Sequence, residues 1–169
     1  MTVPIRASAV LLALCLATGS AANGTLPAPS DPVILTISGT ILHTNDGDVA
    51  RFDRAMLAGL PRVEFTTETI WTDEATTFSG VPLREVLAHV GAQGSHILAM
   101  AINDYSMEIP MDELGDYPIV ADLLNGEPMS VRDKGPLWIV YPYDQDDSFQ
   151  SEVIYSRSVW QLGHIQVLP

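Results

Sequence analysis

The stretch Phe78-Ser-Gly-Val-Pro-Leu-Arg-Glu-Val-Leu-Ala-His-Val-Gly91 constrains the chain most, because its apolar spacing suits a helix with one buried face. Val81, Leu83, Val86, Leu87 and Val90 fall close to the i, i+3, i+4, i+7 rule. Pro82 suits the first helical turn, where its missing N–H costs nothing, and Gly91 suits the position just past the end. Arg84, Glu85 and His89 take the opposite face. The spacing therefore predicts a turn feeding a short amphipathic helix that plugs the core of a mostly β protein.

The start of the chain reads differently. Arg6 supplies a positive end, Ala7 to Thr18 is continuously small or apolar, and Ser20-Ala21-Ala22 fits a small-x-small cleavage site. This predicts a signal peptide over residues 1–22, cleaved after Ala22, and hence a periplasmic protein. The rival, a membrane anchor, needs roughly 20 apolar residues, and the run is shorter, so no membrane insertion is expected. Leu14 before Cys15 also argues against a lipid-modified cysteine. Cys15 is the only cysteine of the 169 residues, so the exported domain has no disulfide, no thiolate nucleophile and no cysteine metal ligand. The formal net charge of −13 makes nucleic acid and anionic lipid poor partners. By itself such an acidic surplus is an ordinary solubility device.

Residues 23–32, with Pro27, Pro29 and Pro32, read as a flexible leader, and residues 33–169 as one domain. Val33 to Ile41 is a strand bent at Gly39, and Asp53 caps a short helix that holds Met56 and Leu57 and stops at Gly59. Arg62 to Trp71 alternates as a strand. His96 to Ala101 and Tyr105 to Ile109 form a hairpin with Asn103-Asp104 at its tip. Ile119 to Leu124 closes at the turn Asn125-Gly126, Leu137 to Tyr141 is the most strand-like stretch, and Trp160 to Leu168 is a final strand. Many short strands with a few short helices give an α+β single domain built on mixed β-sheet.

In order, Phe78-Ser-Gly-Val-Pro-Leu with Leu87 and Gly91, Asn103-Asp-Tyr105, Asn125-Gly-Glu-Pro-Met129, Gly135-Pro-Leu-Trp-Ile-Val-Tyr-Pro142 and Arg157-Ser-Val-Trp160 line up with a known pattern. It resembles the sulfite-oxidase-type molybdopterin-binding domain, over nearly the whole stretch from Val33 to Leu168. The resemblance implies a pterin-sized pocket at a loop edge of the sheet. It also implies a cysteine thiolate holding molybdenum in the region of Thr66 to Trp71, where this chain has Thr-Thr-Glu-Thr-Ile-Trp. Molybdenum favours a soft sulfur donor, so hydroxyls and a carboxylate are poor replacements, and molybdenum is not expected as a cofactor. The likeness is nearer to small exported members that resemble pterin-binding sensors reporting to a membrane-bound signalling protein.

A pterin is flat, aromatic on its faces and polar along one edge, so its pocket needs stacking side chains and an acid or amide. Asp104, with Asn103 and Tyr105 beside it at the hairpin tip, is the first candidate acceptor; the plain alternative is that these residues only make the turn. Trp71 and Trp160 are candidate stacking partners, against core packing; Trp138, inside an apolar strand, is core. Arg132 and Arg157 stand out in a chain with few cations, and either meets a ring carbonyl or makes a surface ion pair. The expected function is a non-catalytic pterin-like binding protein, with no covalently bound cofactor and no assigned catalytic residue. Its alternatives are a molybdopterin-dependent oxidoreductase subunit and a ligand-free interaction module. His43, His89, His96 and His164 lack metal-ligand spacing, Asp144 to Asp147 lacks a calcium-loop pattern, and no G-x-S-x-G or phosphate loop occurs.

Overall fold

In the computed structural model, which describes residues 25–169, the β-rich segments sort into two five-stranded sheets. The expected signal peptide, residues 1–22, lies outside the described residues. In chain order the elements are β1 (Leu35–Gly39), β2 (Ala50–Phe52), α1 (Arg54–Ala58), β3 (Val63–Thr67), β4 (Thr76–Pro82), α2 (Leu83–His89) and β5 (His96–Ala101). They continue with β6 (Ser106–Pro110), β7 (Ile119–Leu124), β8 (Glu127–Pro128), β9 (Trp138–Val140), α3 (Glu152–Arg157) and β10 (Leu162–Leu168). The first sheet has the order β2-β1-β10-β5-β6, and only its β1–β10 pair is parallel, so it is mixed. The second runs β3-β4-β7, with β8 and β9 both paired to β7 and every pair antiparallel.

The α+β single domain expected from the sequence is the architecture observed, with one refinement. The strand-rich stretches divide between two sheets, and the helix α2 follows directly on β4. Leu83, Val86 and Leu87 of α2 are buried, as are Val81 before it and Val90 after it. Gly91 sits at φ +62°, the left-handed conformation that glycine adopts without strain at a helix end. The residues before the helix are not the turn that the Ser-Gly-Val-Pro run suggested. They form β4, which lies between β3 and β7 and is buried along most of its length. A strand covered on both faces loses the alternation that marks strands in sequence. Gly80 is required in it, since a Cβ there would overlap the Val120 carbonyl of β7 where the ladder shifts register.

The capping prediction at Asp53 holds, and the residue does more than cap. Its Oδ1 accepts the Met56 N–H at 2.8 Å, closing the first turn of α1. Its Oδ2 accepts the N–H groups of Ser30 at 2.7 Å and Asp31 at 3.1 Å. The described part of the presumed flexible leader is thus docked rather than loose. Leu26 is buried and donates its N–H to Thr44, and Asn45 donates its amide to the Pro27 carbonyl. Proline-rich composition conceals this, because each anchor comes from a residue far along the chain.

Asp122 on β7 is a buried carboxylate held by two arginines. Arg62 Nη2 reaches its Oδ1 at 2.6 Å, and Arg54 lies 3.5 Å from its Oδ2 while also donating to its carbonyl oxygen. Its side chain is only 4% exposed, so this pair ties α1 and the start of β3 to the second sheet across little water. Removing one partner of a buried pair leaves an uncompensated charge.

Two outcomes are expected. Asp122→Ala should destabilise the protein by about 3–5 kcal/mol in urea unfolding, with much of the loss recovered in Arg62→Met/Asp122→Ala. For Asp53, the bond from Met56 leads in holding the carboxyl below the usual carboxylate range, the Ser30 and Asp31 bonds add to it, and burial opposes it. Its ionised form therefore stabilises the fold above the ordinary carboxylate range, and that contribution is lost as pH falls through the lowered value. Asp53→Ala should melt below the parent at neutral pH, with the gap closing in acid, as read by melting temperature against pH.

Candidate functional site

The loop after β3, the β5–β6 hairpin tip, the end of α3 and the residue before the last strand converge on a cavity of about 210 Å³. Trp71, Asn103, Tyr105 and Trp160 line it together with Ala101, Tyr155 and Ser158. No ionisable Lys, Arg, His, Asp or Glu side chain is among those described residues. The walls are aromatic, with small polar groups between them.

Trp71 organises the walls. Its ring stands edge-on to Trp160 at 5.6 Å between centroids, to Trp138 and Tyr155 at 5.7 Å, and to Tyr143 at 6.1 Å. These edge-to-face contacts are the arrangement that aromatic quadrupoles favour. They leave no slot between Trp71 and Trp160 for a flat ligand, because the planes cross at 68°. The turn that presents Trp71 is built locally: the Thr69 hydroxyl accepts the Trp71 N–H at 3.0 Å and pairs with the Thr72 hydroxyl at 2.9 Å.

Across the cavity, Tyr105 donates its hydroxyl to the Ser156 carbonyl at 2.8 Å, which ties the hairpin tip to α3. The Asn103 side-chain oxygen accepts the Tyr105 N–H at 3.2 Å, leaving its NH₂ group without a protein partner among the described residues. Beneath, the Tyr143 hydroxyl pairs with Ser158 Oγ at 2.7 Å. Burial pushes the Tyr143 hydroxyl, and that of Tyr141, far above the usual phenol range, so both stay protonated at any physiological pH. Trp138 is wholly buried in the core, its indole N–H donated to the Ser158 carbonyl at 3.2 Å.

Of the seven residues singled out in the sequence, four share this cavity, and Asp104, Arg132 and Arg157 do not line it. Asp104 takes the left-handed turn position at φ +68°, with its N–H donated to the Ala101 carbonyl. It is the neighbouring Asn103 that reaches the wall. Arg132 lies exposed on a single 3₁₀ turn, Val131–Asp133. Arg157, at the end of α3, is paired through Nη2 with Glu113 at 2.8 Å. Tyr155 and Ser158 went unnamed in the sequence reading. The signal for them was Ser151, whose hydroxyl accepts the Ile154 N–H and starts the helix that carries Tyr155.

Among the described residues no group of three or more His, Cys, Asp or Glu side chains converges. The Thr66 to Trp71 segment offers hydroxyls and the Glu68 carboxylate, hard oxygen donors that suit molybdenum less than a thiolate does.

Comparison with known proteins places this geometry in context. The family described as oxidoreductase molybdopterin binding domain matches residues 54–144. Among solved structures, the sulfane dehydrogenase SoxCD from Paracoccus pantotrophus superposes with a TM-score of 0.60 at 21% sequence identity. The superposition covers 79% of this chain and 37% of that one, so the chain spans little over a third of its structural relative, and the likeness is one of fold. No curated protein sequence matches at a significant level. With more than half of its length matched, from α1 through the residue after Tyr143, the chain belongs to the oxidoreductase molybdopterin-binding domain family.

Proposed function

We propose that this oxidoreductase-like domain is a non-catalytic binding protein for a small pterin-like heteroaromatic ligand. The observation that carries the reading is the aromatic cavity, walled by Trp71, Tyr105, Tyr155 and Trp160, in a chain with no cysteine beyond Cys15. Its volume of about 210 Å³ lies below the ~300–1,000 Å³ usual for sites of drug-sized ligands. A bicyclic ring suits that space better than a complete molybdopterin with its dithiolene and phosphate. No cation lines the cavity to hold a phosphate. Asn103 supplies the amide that the polar edge of a pterin requires, in place of Asp104. In this reading the protein is exported to the periplasm and passes its ligand state to the outer part of a membrane-bound signalling protein.

The rival reading, a molybdopterin-dependent oxidoreductase subunit, follows from family membership alone. Metal analysis separates the two: the protein expressed with its own leader should carry no stoichiometric molybdenum, and finding it would overturn the binding-protein reading. Oxidised and reduced pterins should quench the tryptophan fluorescence saturably. Asn103→Ala should weaken that binding roughly tenfold, the scale of one lost hydrogen bond to the ligand edge. Asp104→Gly should leave affinity unchanged and slightly raise stability, because glycine relieves the positive φ.

A further inference from the structure

A second cavity adjoins the aromatic one and shares Tyr155 with it. It measures about 230 Å³ and is shallow and polar, with Glu68, Thr69, Asp144 and Gln150 on its walls. Glu68 and Thr69 lie just before Trp71, so the loop that presents the indole to one cavity presents a carboxylate to the other.

The hydrogen-bonding capacity of these walls is unevenly used. Asp144 Oδ2 accepts the Glu68 N–H at 2.6 Å and the Thr67 hydroxyl at 3.2 Å, while its Oδ1 has no partner among the described residues. The Gln150 amide donates to the Tyr143 carbonyl at 3.1 Å, which leaves its oxygen free to accept. The Glu68 carboxylate makes neither an ion pair nor a hydrogen bond among the described residues. Both charged groups on the walls are acids, and no Lys, Arg or His lines either cavity. The annex is therefore rich in acceptors and negative in potential. It favours groups that donate hydrogen bonds and disfavours phosphate or carboxylate, which two nearby carboxylates repel.

We infer that the two cavities form one bipartite site, with the ring on the Trp71 cluster and a hydrogen-bond-donating, non-anionic substituent in the annex against Glu68 and Asp144. This rests on the pterin-binding reading and specifies its ligand class: hydroxyl or ammonium substituents are accepted, and anionic ones are rejected.

The test is a fluorescence titration of the full-length protein with four probes that share a ring: hydroxymethylpterin, its phosphate ester, carboxypterin and aminomethylpterin. The hydroxymethyl and aminomethyl compounds should bind, and the two anionic ones should bind roughly tenfold or more weakly. Comparing the hydroxymethyl and aminomethyl arms separates hydroxyl from ammonium as the better donor. Glu68→Gln, whose lost carboxylate has no structural partner, should narrow the gap between neutral and anionic probes, and Glu68→Lys should reverse it. Circular dichroism of both variants should match the parent. Equal affinity for all four probes, or a gap indifferent to Glu68, would refute the annex while leaving the aromatic cavity intact. If no probe binds at all, the pterin reading fails and the annex with it.

Discussion

Trp71 is the contact on which this end of the molecule depends. A single indole, held on a loop beyond the edge strand β3, lies edge-on to Trp138 of β9, to Tyr143, to Tyr155 of α3 and to Trp160 before β10. Those partners span the second sheet, the last helix and the approach to the first sheet. Burying so much aromatic surface in one place fixes the relative positions of segments that share few backbone hydrogen bonds. The same cluster, where it stops, becomes the wall of the cavity. Structural stabilisation and the lining of the cavity thus draw on the same rings.

The hairpin tip is fixed to this cluster by a different force. Tyr105 keeps its ring on the cavity side and donates its hydroxyl to the carbonyl of Ser156, so α3 and the β5–β6 tip are locked by one polar bond at an otherwise aromatic rim. Gln161 adds a second tie: it accepts the Ile102 N–H through its carbonyl and donates its amide to Val131. The rim is therefore shaped by directional bonds while its lining is shaped by non-directional packing. That division suits a site that must hold its outline with no ligand inside.

What was legible in the sequence was what neighbours in the chain decide. Asp53 capping α1, the Asn125-Gly126 turn between β7 and β8, the Asn103-Asp104 turn and the buried face of α2 all follow from residues within a few positions of each other. What escaped depended on partners far away. β4 reads as a turn because burial on both faces erases its alternation, and Gly80 in it makes room for β7. The leader looked loose because its anchor is the second oxygen of Asp53. Among the site candidates, Trp71, Tyr105 and Trp160 line one cavity, as large rings in a small domain have few places to go. Asp104 and Arg157 lie outside that cavity, since a turn conformation claims Asp104, and Glu113, more than forty positions away, claims Arg157.

The segment from Thr66 to Trp71, the end of β3 and the turn after it, is held in place by its own side chains. Its threonines are committed to one another and to the frame: Thr66 pairs with Thr77 at 2.8 Å, Thr67 bonds Asp144, and Thr69 holds both Thr72 and the Trp71 N–H. Each of these hydroxyl groups is hydrogen-bonded within the frame. Within the segment, Glu68 alone is left with unused acceptors, and its carboxylate is a hard oxygen donor. The segment thus behaves as a mount for Trp71 on one side and for Glu68 on the other.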